Sequence, residues 1–171
     1  MASVDRVGYR EQRGLLRYRT ADRHDAALPL VQLVPESAGQ RCLLWIDGRG
    51  KRSLFSDAGQ PQPSVERLLQ EQVTVVGVDL LHQGEFLARG VEQLDRVRWL
   101  TGEQAFAGWT YCYNMPLAAQ RANDVMAVGI WLRRSGREVD LLGWHGAGPW
   151  VIAAAGQQPE TFRSVAADTG G

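Results

Sequence analysis

Val139-Asp140-Leu141-Leu142-Gly143-Trp144-His145-Gly146-Ala147-Gly148-Pro149-Trp150-Val151-Ile152-Ala153-Ala154-Ala155 holds the pattern that decides the fold. Val139 to Leu142 reads as a short buried strand. Gly143 to Gly148 is a glycine-dense turn, and Pro149 to Ala155 reads as a helix with proline in its first turn, where the missing N–H is no loss. A strand that runs through a glycine turn directly into a helix is the unit of a parallel sheet covered by helices.

Working outward, the same alternation repeats. Cys42 to Ile46 is a continuous apolar run, suited to a strand covered on both faces, and it leads into the loop Asp47-Gly48-Arg49-Gly50-Lys51. Pro63 to Leu69 starts a helix, with Ser64 expected as its N-cap. Val73 to Leu81 is a β-branched strand, and Pro116 to Arg134 is dense in apolar residues (Ala119, Val125, Met126, Val128, Ile130, Trp131) as a helix laid on a sheet requires. Phe162 to Ala167 is expected as a fourth buried strand. Near the start, Leu15–Arg19 and Leu28–Val34 read as an antiparallel hairpin joined by a polar turn that contains a solvated His24, while residues 1–13 read as an irregular lead-in. Residues 82–113 show no regular period. The expected architecture is therefore α/β: a mostly parallel sheet with an N-terminal antiparallel hairpin, in one domain over 14–171.

Ligands of such sheets sit beyond the carboxyl ends of the strands. Three loops leave those ends: 47–53, 81–86 and 143–148. The third matches the frame of a nucleophile elbow, G-x-S-x-G, in which small residues flank a nucleophile on a sharp strand-to-helix turn. Here Gly143, Ala147 and Gly148 supply the small positions and His145 stands at the centre. Two other readings remain open at this point. A dinucleotide loop would need a third glycine where His145 stands, and a glycine turn can be purely structural.

Composition excludes several classes. Lys+Arg and Asp+Glu balance at 19 each, so no whole-chain charge favours nucleic acid or an anionic membrane. Lys51 is the single lysine, and the arginines are scattered. Cys42 and Cys112 lie far apart with no metal-ligand spacing, and Cys42 reads as a small core residue, so neither metal nor cofactor is expected. No apolar stretch approaches the roughly 20 residues of a membrane-spanning helix, and the first residues carry no apolar signal segment. Compartment and oligomeric state are not legible.

Several segments together resemble a family. They are Leu44–Lys51; Val76, Val78 and Asp79 with Gly84-Glu85-Phe86; Tyr113-Asn114 with Ala119-Gln120-Arg121 and Asn123-Asp124; Gly143–Trp150; and Ala167-Asp168-Thr169-Gly170-Gly171. In that order they are similar to bacterial α/β hydrolases of the acetylxylan-esterase-like and dienelactone-hydrolase-like kind, over residues 14–171. The resemblance implies a three-layer α/β-hydrolase sandwich, incomplete at the C-terminus, acting on a small-molecule or carbohydrate ester. It places Asp47-Gly48-Arg49 where these hydrolases carry a His-Gly-x loop. Arg49 and Gly146 would then supply the two oxyanion-hole N–H groups.

The departures from the pattern are as informative. A histidine at the elbow without a partner base forms at best a labile acyl-imidazole. The triad order in this fold is nucleophile, acid, histidine, and only residues 146–171 follow His145. Asp168, at the end of a strand on the catalytic side, is a candidate acid or binding group, with a local turn bond as its alternative. Ser53 and Ser56 lie near the oxyanion loop with no paired base visible in sequence; His82 reads as a surface or loop histidine beside the cleft, and Glu85 as either a cleft carboxylate or the structural partner of a nearby arginine. The expectation is an esterase-like hydrolase-fold chain without activity of its own, or a non-catalytic binding protein on the same fold.

Overall fold

The computed structural model describes residues 2–20, 25–88, 91 and 115–170. Their strands are β1 (Ala2–Arg6), β2 (Tyr9–Arg19), β3 (Asp25–Pro35), β4 (Arg41–Asp47), β5 (Thr74–Val78), β6 (Glu138–Trp144) and β7 (Ser164–Ala167); the helices are α1 (Pro63–Gln70), α2 (Leu117–Arg134) and α3 (Gly148–Gln157). Among the described residues the strands form one sheet in the order β1-β2-β3-β5-β4-β6-β7. β4 to β7 run parallel, and β1 to β3 join antiparallel at one side.

Burial explains the layers. β5 (Thr-Val-Val-Gly-Val) is buried along its whole length, as a central parallel strand covered on both faces must be. Along β3 the side chains alternate. Leu28 and Leu30 join the larger core with Leu44, Ile46, Val125, Val128, Leu141 and Val151, while Val31 and Leu33 join Leu54, Val65 and Leu69. α2 and α3 thus cover one face and α1 the other, giving three layers. Cys42 is a core residue as expected, fully buried.

α2 is also pinned by polar contacts. Tyr18 donates its hydroxyl to Asp124 at 2.6 Å, the Leu81 N–H donates to the other Asp124 oxygen at 3.1 Å, and Arg121 donates to the Leu81 carbonyl at 3.0 Å. The Arg121 guanidinium lies 4.4 Å from the Trp150 ring centroid, which ties α2 to α3.

Strand order also locates a crevice. From β4 the chain passes to β5 on one side and later to β6 on the other, so the loops after β4 and β6 leave the sheet in different directions. Ligand crevices of α/β sheets open at such a switch point. The last register pair there is Asp47 with Trp144.

Four expectations need correction. The irregular lead-in expected over residues 1–13 is not found over residues 2–13, where β1 and the first half of β2 form a hairpin. Its polar side chains form cross-strand ion pairs, Arg10–Asp5 at 2.7 Å and Arg6–Glu11 at 3.4 Å, which hide the strand pattern. The antiparallel part accordingly holds three strands. The N-cap of α1 is Gln62, with Pro63 opening the helix and Ser64 inside it. β7 is shorter than expected and not buried, since it pairs only with β6 at the end of the described sheet. His24 and Cys112, with Tyr113 and Asn114, lie outside the described residues.

β7 is fastened at its start by one carboxylate. Asp140 accepts from Arg163 at 2.9 and 2.5 Å and from the Ser164 hydroxyl at 2.6 Å, with Arg41 at 3.8 Å. Burial alone would raise its pKa, but the bonds from Arg163 and Ser164 and the charges of Arg163 and Arg41 outweigh it and hold the carboxyl below its usual range. A lowered folded pKa stabilises the fold above the unfolded carboxylate range, about 3.9 for aspartate, and that contribution disappears as pH falls through the folded value. Asp140→Asn is expected to lower stability by about 1–2 kcal/mol at neutral pH, discounted for the half-exposed Arg163. In urea titrations the difference from wild type should shrink below about pH 4; a constant difference would contradict the assignment.

Candidate functional site

β6 ends at Trp144, and the chain turns at His145 (φ 47°) and Gly146 (φ 81°) before α3 begins at Gly148. A left-handed residue other than glycine costs about 1–2 kcal/mol and persists only where its surroundings enforce it. The surroundings here are close. The Gly48 N–H donates to the Trp144 carbonyl at 3.0 Å, and a Cβ on Gly48 would lie 1.8 Å from the His145 carbonyl oxygen. A Cβ on Gly143 would lie 2.5 Å from Val151, and one on Gly148 would lie 2.0 Å from the Asp168 carbonyl oxygen. Ala147 is fully buried. The small residues around His145 are thus required by contact between β6, α3 and the loops after β4 and β7.

The His145 ring reaches back across the switch point. Its Nδ1 lies 2.8 Å from Asp47 Oδ2, and its plane meets the Trp144 ring edge-on at 5.4 Å. The Asp47 side chain is completely buried. Its Oδ1 accepts the Arg49 backbone N–H at 2.8 Å and the Arg49 Nε at 3.2 Å, and Oδ2 accepts Arg49 Nη2 at 3.4 Å. Burial would raise the Asp47 pKa, but hydrogen bonds from the Arg49 side chain, the Arg49 backbone and His145 lower it on balance. An ionised carboxylate only accepts, so its bond to His145 requires the proton on Nδ1. Arg49 Nη2 also lies 3.1 Å from Nδ1, where it too can only donate. The Nδ1–H tautomer therefore leaves Arg49 to the carboxylate and turns Nε2 outward. The His145 side chain is 43% exposed, and Nε2 has no hydrogen-bond partner among the described residues.

The other expected site residues separate into two groups. Gly143, Ala147, Gly148, His145 and Gly146 meet in the one turn, and the Gly146 N–H has no acceptor among the described residues. The Arg49 N–H, expected as the other oxyanion donor, is already donated to Asp47, because a side-chain oxygen bonding the amide two residues on closes the loop as an Asx turn. Asp168 does not reach His145. Its N–H donates to the Gly143 carbonyl at 2.8 Å, and its carboxylate accepts the Gly170 N–H at 2.9 Å, the local turn bond.

Ser53 donates to the Gly50 carbonyl at 2.9 Å and Ser56 to the Gln60 carbonyl at 3.1 Å, so neither hydroxyl is paired with a base. Glu85 pairs with Lys51 at 2.6 Å, and that lysine is shared with buried Asp79. His82 is exposed, with φ 62°. Among the described residues no group of three or more His, Cys, Asp and Glu side chains could hold a metal, and no helix is long and apolar enough to cross a membrane.

Two residues with evident roles were not singled out in the sequence. Asp47 was read only as part of a loop, although Asp-Gly-Arg after a strand is the pattern of an Asx turn. Gln83 carried no signal at all, yet it is fully buried and bonds to the Asp47–Gly48 segment.

No known family profile matches the chain, and no curated protein sequence does. Solved structures do match. A Bacteroides fragilis protein classed by inference as an acetyl xylan esterase aligns over 96% of this chain and 46% of its own, with TM-score 0.70 and 16% identity. Acetyl xylan esterase 1 from Thermoanaerobacterium sp. aligns over 96% and 49%, with TM-score 0.62 and 14% identity. Dienelactone hydrolase from Anabaena variabilis aligns over 91% and 62%, with TM-score 0.55 and 17% identity. The chain has the α/β-hydrolase fold. It spans about half the length of the acetyl xylan esterase structures it matches.

The contact at Gly48 generates a test. Gly48→Ala is expected to lower the melting temperature through an overlap of about 1–3 kcal/mol with the His145 carbonyl. Gly39→Ala, where a Cβ meets nothing within 4 Å, should stay within about 0.5 kcal/mol of wild type. Equal melting temperatures for the two variants would refute the close approach of the β4 loop to the His145 turn.

Proposed function

We propose that the chain is an esterase-like α/β-hydrolase-fold protein whose site lies at the ends of β4 and β6, with His145 at the nucleophile-elbow position. Its ligand class is a small-molecule or carbohydrate ester, and the chain alone does not turn that ester over. The observation that carries this reading is His145 itself. It holds a left-handed backbone conformation between strand and helix, and its ring is tied to the buried Asp47 carboxylate.

The chemistry follows from the donors and acceptors. Acyl transfer at an elbow needs a nucleophile, a base that takes its proton, and two aimed N–H groups for the oxyanion. Nε2 is the nucleophilic atom that the Nδ1–H tautomer leaves outward, and an acyl group on it is labile. Asp47 contacts Nδ1, on the far side of the ring from any attacking atom, so it orients the imidazole and takes no proton from a substrate or water. Gly146 supplies one oxyanion donor, while the Arg49 amide is held by Asp47. Lacking one donor of such a pair typically costs about 3–4 kcal/mol of transition-state stabilisation, or 10²–10³ in rate. Asp168, engaged with Gly170, supplies neither acid nor base.

A second reading is a hydrolase-fold protein that binds a ligand or partner without catalysis, and the engaged Arg49 amide favours it. The two readings differ in a protein of the full length of the matched acetyl xylan esterases, which turns over ester in the first and binds without turnover in the second. For this chain both lead to one expectation. Purified protein incubated with a chromogenic acetyl ester should show no hydrolysis above background, and His145→Ala should change nothing. A clear rate that His145→Ala abolishes would overturn the proposal.

A further inference from the structure

Gln83 sits in the loop after β5, in a segment whose backbone is bent by two left-handed residues, His82 (φ 62°) and Gly84 (φ 45°). The bend is held from beneath by Asp79. Its carboxylate accepts the Glu85 N–H at 2.9 Å and the Lys51 N–H at 2.9 Å, and a Cβ on Gly84 would collide with it. The loop is closed by backbone bonds from Gln83 N–H to the Leu80 carbonyl and from Phe86 N–H to the Gln83 carbonyl, both 2.9 Å. This geometry turns the Gln83 side chain inward, where it is fully buried.

A buried carboxamide must place two N–H donors and a carbonyl acceptor. Gln83 does so across two loops. Its Oε1 accepts the Leu80 N–H at 3.1 Å, while its Nε2 donates to the Asp47 carbonyl at 3.2 Å and to the Gly48 carbonyl at 2.9 Å. Both donor bonds end on the segment that builds the site. Asp47 carries the carboxylate that meets His145, and Gly48 bonds the Trp144 carbonyl and packs on the His145 carbonyl. The Asp47–Gly48 peptide is thereby held from the β6 side by Trp144 and from the β5 side by Gln83.

We infer that Gln83 is a positioning residue: by clamping the consecutive carbonyls of Asp47 and Gly48, it sets the Asp47 carboxylate against His145 Nδ1 and so selects the tautomer that turns Nε2 outward. Gln83 acts through Asp47 and touches no ligand. The inference rests on reading the His145 turn as the functional site. It is tested on the Asp47–His145 pair directly, so failure of ester binding or turnover leaves it standing or falling on its own readout.

The experiment is a long-range imidazole ¹H–¹⁵N spectrum of the full chain at about pH 8, above the ordinary histidine range, with the His145 signals identified by their loss in His145→Gln. Wild type should show the Nδ1–H tautomer. Gln83→Met, similar in shape, removes all three side-chain bonds; Gln83→Glu keeps the acceptor for Leu80 and removes both donors. Each folded variant should lose the Nδ1–H pattern and show mixed tautomers. Gln62→Met breaks a comparable bond, Gln62 Nε2 to the Phe55 carbonyl at 3.1 Å, and should leave His145 unchanged. The inference is overturned if wild type lacks the Nδ1–H tautomer, or if a folded Gln83 variant keeps it. It is equally overturned if Gln62→Met shifts His145 in the same way, or if neither Gln83 variant folds, since Gln83 would then be a general support of the sheet.

Discussion

Between the ends of β4 and β6 there is no room for a side chain. Gly48 lies so close to the His145 carbonyl that a methyl group at its Cα would overlap the oxygen, and the Gly48 N–H bonds the carbonyl just before it. That approach is possible because β4 and β6 are neighbours in register up to Asp47 and Trp144. It brings a loop from the first third of the chain against a turn near its end. Gly143 and Gly148 extend the same condition to α3 and to the loop after β7. His145 has its unusual backbone because everything around it has already been placed.

The buried charge of Asp47 then governs the chemistry. A carboxylate with no solvent contact must be supplied with donors or become neutral. Arg49 supplies three and His145 a fourth. Under the proposed reading, two of these donors, the Arg49 amide and His145, are groups that an ester-cleaving site would direct at its substrate or use for proton transfer. The Arg49 amide in particular cannot satisfy Asp47 and a developing oxyanion together. Stabilising the site and equipping it for acyl transfer draw on the same groups, and in this chain the carboxylate holds them.

How much of this was legible in the sequence follows from the range of each interaction. The strand–turn–helix of 139–155 and the buried run around Val75 and Val76 could be read because their signals are local: period, β-branching, glycine and proline. The first hairpin could not, because Asp5, Arg6, Arg10 and Glu11 look like a solvated segment until the strand pairing sets Arg10 opposite Asp5 and brings Arg6 to Glu11. β7 read as buried because composition records apolarity but not the number of neighbours, and among the described residues this strand has one neighbour, β6. The site divides in the same way. The small residues around His145 are contiguous and were visible. Asp47, which lies 98 positions away in sequence, and Gln83, whose partners belong to another loop, depend on strand order. No periodicity encodes that order.

The choice of side chain at 145 can be weighed within the same frame. Glycine there would relieve a left-handed backbone by about 1–2 kcal/mol. It would also remove a donor from a buried carboxylate, and a hydrogen bond to a charged group contributes about 1.5–3 kcal/mol, reduced here because the ring is nearly half exposed. The two effects are of similar size. A histidine at this turn can therefore be held by electrostatics alone, with no catalytic demand on it. Serine, the residue of the elbow motif, has a hydroxyl on a much shorter side chain that would have to span the distance to Asp47 covered by the imidazole. With Asp47 in the β4 loop, the ring nitrogen at 2.8 Å is what completes the carboxylate's donor set. The identities of residues 47 and 145 are thus physically coupled, and exchanging His145 alone would strip a donor from Asp47 before it restored any nucleophile.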